Sequence, residues 1–79
     1  MTEMEQILML SRQLGRHLAG KPPQVQSGAL ADCCAMYLAG HRVPGDPEAT
    51  AKLRAELLDA LVELIKQMVE PNAREIDSR

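Results

Sequence analysis

The segment A-L-A-D-C-C-A-M-Y-L-A-G-H, residues 29–41, gathers the side chains in this chain best suited to chemistry. It holds a carboxylate at Asp32, two thiols at Cys33 and Cys34, and an imidazole at His41. Thiolates with imidazole nitrogens make zinc sites, and a thiolate in an electropositive setting makes a redox sensor. The spacing argues for a plainer role. Adjacent residues on a helix diverge by about 100°, so Cys33 and Cys34 cannot close a disulfide on each other within one. Zinc sites usually take two cysteines two residues apart plus two further ligands. Here the nitrogens are His41, past the helix end, and His17, near the end of another helix. Free cysteine packs as a small hydrophobe, so both thiols read as core residues, and no metal or cofactor is expected. The alternative is a thiol- or metal-dependent regulator using Cys33, Cys34 and His41.

Asp32 is the best polar candidate, because it interrupts the most apolar segment of the chain. Buried and unpaired, its carboxyl would be pushed toward the neutral form and would mark a site. The plainer expectation is that its strip of small residues (Gly28, Ala35, Ala39) meets solvent, or that it pairs with Arg12 or Arg16. An enzyme would need Asp32 and a histidine in one pocket, and so short a chain would have to build it between subunits. The expectation is therefore a protein that is not an enzyme. His17 and His41 both lie at helix carboxyl ends, where unpaired carbonyls favour a cation. Tyr37 reads as a core-face residue with its hydroxyl at the rim. Met4, Met9, Met36 and Met68 fall at helical spacing and read as packing.

No phosphate loop, dinucleotide fingerprint, HExxH or calcium loop is present. Ser11, Ser27 and Ser78 do not sit in a nucleophile elbow. The net charge of −2 argues against general affinity for phosphate backbones. A helix-turn-helix reading with Arg42 and Arg54 about the turn fails on its recognition helix, which would begin Asp46-Pro47-Glu48 and point carboxylates at phosphates. The start MTEMEQ is acidic where a signal peptide is basic, and no apolar run nears the ~20 residues that span a bilayer. A cytoplasmic protein with no nucleic-acid or membrane partner is expected.

These residues must be positioned by helices. With no Trp, no Phe and one Tyr, the core has to come from Leu, Ala, Val, Ile and Met, a helix-forming palette. The sequence predicts an all-α protomer of three helices at about 3–19, 24–39 and 47–69. The first opens on a Thr2/Glu5 capping box and stops at L-A-G-K-P-P. The second stops at L-A-G-H-R-V-P, which reads as the same stop chemistry rather than a repeat. Asp46 caps the third, with Pro47 at its first position. Pro71 is expected to end it, leaving one domain, 1–70, and a short polar tail, 71–79.

The apolar faces are wider than three helices can cover. At about 100° per residue, the third helix spreads Leu53, Leu57, Leu61, Leu64, Ile65, Met68 and others over roughly 200°, with Arg54 the one charge inside the arc. The second is apolar nearly all round, the mark of a buried helix. At this size, burial of about 120 kcal/mol roughly matches the ordering cost of the chain. Such a protomer needs disulfides, metals or association. The expectation is an antiparallel helical bundle completed by dimerisation, with a protein partner as the lesser possibility. Its function would be that of a small oligomerisation or protein-interaction module. Self-association would run through Leu30, Cys34 and Leu38 on the second helix and Leu57, Leu61, Leu64, Ile65 and Met68 on the third.

Overall fold

The computed structural model describes residues 1–79 as three helices without strands: α1 (Glu3–Leu18), α2 (Pro23–Ala39) and α3 (Pro47–Asp77). The chain divides into two compact units, Met1–Cys33 and Cys34–Arg79, with the boundary inside α2.

In the first unit, α1 begins where the sequence predicts. The Thr2 hydroxyl accepts from the Glu5 backbone N–H at 3.1 Å, and the Glu5 carboxylate accepts from the Thr2 N–H at 3.4 Å and from its hydroxyl at 2.9 Å. The first turn carries Glu3 and Glu5 and the last Arg16 and His17, matching the helix dipole at both ends. Ala19 closes the helix by donating to the Gly15 carbonyl at 2.9 Å, and Gly20 then turns the chain with φ of 77°. That left-handed geometry is available to glycine at little cost. The Gln26 amide donates to the Leu18 carbonyl at 2.8 Å, tying the first turn of α2 to the end of α1.

In the second unit, the residues between α2 and α3 form a tight turn. Asp46 N–H donates to the Val43 carbonyl at 3.1 Å, with Pro44 second and Gly45, at φ 75°, third. This is the residue order of a type II turn. Asp46 then caps α3, its carboxylate accepting from the Ala49 N–H at 2.9 Å, with Pro47 in the first turn.

Two expectations change. α3 does not end near residue 69 but runs on to Asp77, with Pro71 inside it. Proline has no N–H, so the Gln67 carbonyl loses its donor four residues on. Both residues are exposed, so water can meet that carbonyl, and the last turn has its own supports. Ser78 N–H donates to the Arg74, Glu75 and Ile76 carbonyls, the Ser78 hydroxyl donates to Glu75 O at 2.8 Å, and Arg79 pairs with Glu75 at 3.5 Å.

The two L-A-G stops also differ. Gly20 is left-handed and Gly40 is not, so α2 must finish by other means.

Burial within the single chain is slight. No residue of the chain is buried, α2 included, and the accessible surface is 6874 Å². The apolar composition of α2 therefore has no matching interior within the single chain.

Candidate functional site

The most fully built feature of the molecule is the corner where α2 ends and α3 begins. A helix leaves its last four carbonyls without intrahelical donors, and in α2 each of them finds one. Met36 O accepts from the Gly40 N–H at 3.0 Å and Leu38 O from the His41 N–H at 3.1 Å. Tyr37 O lies 2.7 Å from His41 Nδ1. A carbonyl can only accept, so Nδ1 carries the proton. Ala39 O accepts from Arg54 Nη2 at 2.9 Å, and Arg54 Nε donates to His41 O at 3.0 Å. The guanidinium of α3 thus grips the end of α2 with two donors, and its charge sits at the negative end of that helix's dipole.

Thr50 braces the turn from the other side. Its hydroxyl accepts from the Val43 N–H at 3.0 Å and lies 3.2 Å from Val43 O and 2.9 Å from Asp46 O, one of which takes its proton. The open depression beside the turn is lined by Val43, Asp46, Thr50 and Arg54, which are engaged in these bonds, and by Arg42, Pro44, Gly45, Pro47 and Ala51. What the corner does chemically is hold two helices at a fixed joint.

The candidate residues are divided between the two units, with Asp32, Cys33 and His17 in the first and Cys34 and His41 in the second. Cys33 is exposed and Cys34 half-buried, and both are free thiols. The expectation that both are core residues therefore does not describe the single chain, which has no core for them to fill. His41 has one ring nitrogen committed to capping, which leaves Nε2 as its only nitrogen for a ligand. Its ring meets the Tyr37 ring edge-on, with centroids 4.7 Å apart at 66°. No three His, Cys, Asp or Glu side chains are gathered in a way that would hold a metal ion. His17 is exposed in the last turn of α1.

Asp32 does not form the ion pair with Arg12 or Arg16 that the sequence allows. The ion pairs present are Lys52–Glu56, at 4.0 Å, and Arg79–Glu75. Asp32 is exposed together with Gly28, Ala35 and Ala39, the solvent-facing arrangement of the small-residue strip.

The self-association candidates separate into two groups. Cys34, Leu38, Leu57 and Leu61, all in the second unit, are half-buried. Leu30, Leu64, Ile65 and Met68 are exposed. The residue that sequence reasoning passed over is Arg54. Its signal was its place as the single charge in an apolar arc, which is where a side chain serving a neighbouring helix has to lie.

Comparison of the chain with models of protein families, with curated proteins and with solved structures gives no match. No helix is long and apolar enough to cross a membrane.

Proposed function

We propose that this chain is a small, non-enzymatic helical module that works by self-association, two copies completing an antiparallel helical bundle around a shared two-fold axis. One observation carries the reading: not one residue of the single chain is buried, while large apolar side chains from Met4 on α1 to Ile76 on α3 are exposed. Soluble monomers seldom leave so much apolar surface uncovered. Homo-oligomers most often close as two-fold dimers, in which each copy offers and receives the same patch. The corner at Arg54 serves this role by fixing α2 and α3 before association.

Sedimentation velocity of the full chain across nanomolar to micromolar concentrations tests the proposal. A species of twice the 8.7 kDa chain mass is expected. A folded, monodisperse single chain at micromolar concentration would overturn it. Leu61→Glu, in the middle of the apolar arc of α3, is expected to dissociate or unfold the dimer, and a folded variant of unchanged mass would contradict the reading.

A further inference from the structure

α3 carries two apolar stripes, and only one of them is partly used within its own unit. Leu53, Leu57 and Leu61 are half-buried on the side of Arg54, the residue that grips the α2 end. Roughly 100° further round the helix lie Leu58, Val62, Ile65, Val69, Asn72 and Ile76, at successive spacings of 4, 3, 4, 3 and 4. The five apolar members are between 40% and 61% exposed. This spacing is the heptad repeat, with branched Val62, Val69 and Ile76 at the a positions and Leu58, Ile65 and Asn72 at d. A repeat of 3.5 keeps such a stripe aimed at a single neighbouring helix for its whole length. Of the two residues where the helix lacks one hydrogen bond, Gln67 lies opposite the stripe and Pro71 on the line of Leu53, and Asn72 is the one polar member of the stripe.

We infer that this stripe is the seam on which α3 of a second copy packs antiparallel. The inference rests on the self-association reading and assigns it a surface and a register. Antiparallel pairing sets Val62 against Ile65 of the second copy and Val69 against its Leu58, with Asn72 opposite the small, exposed Ala55. The same register brings Asp59 beside Lys66 of the second copy, and by symmetry does so twice. Parallel pairing would instead put Lys66 beside Leu61 and offer Asp59 only Arg54, whose donors are committed to Ala39 and His41. Charge complementarity therefore favours the antiparallel arrangement. A second copy is the occupant because every copy carries the same exposed stripe, and the antiparallel register pairs Asp59 of each copy with Lys66 of the other.

Sedimentation equilibrium of the full chain and four variants, with helix content followed by circular dichroism, tests the seam. Val69→Glu is expected to weaken association about a hundredfold, since it sets two unpaired carboxylates in apolar layers. Asp59→Lys or Lys66→Asp alone is expected to weaken it about tenfold, and the two together to restore it to within a few-fold of the wild type. These charge variants lie at exposed positions, so the result does not depend on the Val69 variant folding. A wild-type chain that stays monomeric overturns the seam and the self-association reading together. A wild-type dimer that Val69→Glu leaves unchanged overturns the seam alone, because the copies then associate elsewhere or α1 covers the stripe. Single charge variants that weaken association without rescue in the double variant overturn the antiparallel register.

Discussion

Arg54 donates from Nη2 to the Ala39 carbonyl at 2.9 Å, reaching from the second turn of α3 to the last residue of α2. Together with the Nε bond to His41 O, this is the longest-range side-chain restraint within the second unit. Arg54→Ala leaves two carbonyls to water and removes the cation from the helix end. The expected loss is about 1–2 kcal/mol of stability in urea unfolding at fixed protein concentration. Arg54→Lys should recover little of it, because an ammonium has no planar fork to span two acceptors. Full recovery with lysine would mean that charge alone does the holding.

Thr50→Val tests the brace on the other side of the turn. The substitution keeps the volume and removes the hydroxyl, so the Val43 N–H loses its acceptor at 3.0 Å. A cost of about 1 kcal/mol is expected. Asp46→Ala, which removes the N-cap of α3, should cost a similar amount. Both residues act within one turn, so the double variant should fall short of the sum.

The sequence placed the helices well because their starts are written locally. Thr2 with Glu5 and Asp46 with Pro47 each satisfy amides one turn away, so no tertiary information is needed to see them. The end of α2 was not legible in the same way. Gly40 resembles Gly20 in sequence, yet α2 is finished by His41 and by Arg54 fifteen residues from Ala39, and no window of a single helix contains that pair. The end of α3 is not legible at Pro71, because the groups that close the helix, Ser78 and Arg79, lie beyond the proline. The apolar character of α2 suggests core positions for Cys33 and Cys34, whereas Asp32 meets solvent with its strip of small residues as expected. That character measures what a segment can bury, while burial itself depends on a neighbour.

Pro71→Ala tests the continuity of α3 through residue 77. Alanine supplies the N–H that the Gln67 carbonyl lacks and removes the ring from the preceding turn. Helix content should be kept and stability should rise by about 1–3 kcal/mol, since proline in a helix interior costs about 3 kcal/mol. A variant no more stable than the wild type would show that residues 72–77 contribute no helix to be strengthened. The measurement is the urea midpoint with circular dichroism as the signal.

Cys33 and Cys34 provide a readout of which helices an assembly covers. In the single chain Cys33 is exposed and Cys34 half-buried, and they point about 100° apart on α2. A dimer joined along α3 leaves Cys33 accessible, so a thiol-specific reagent should label the folded protein in two phases. Cys33→Ala should remove the faster phase and Cys34→Ala the slower one. If both thiols label only on denaturation, α2 lies inside the assembly and the seam on Leu58, Val62, Ile65 and Val69 is not where the copies meet. If both label at one fast rate, the partial cover over Cys34 is lost in solution. That would leave the α2–α3 joint, and the role given to Arg54, without support.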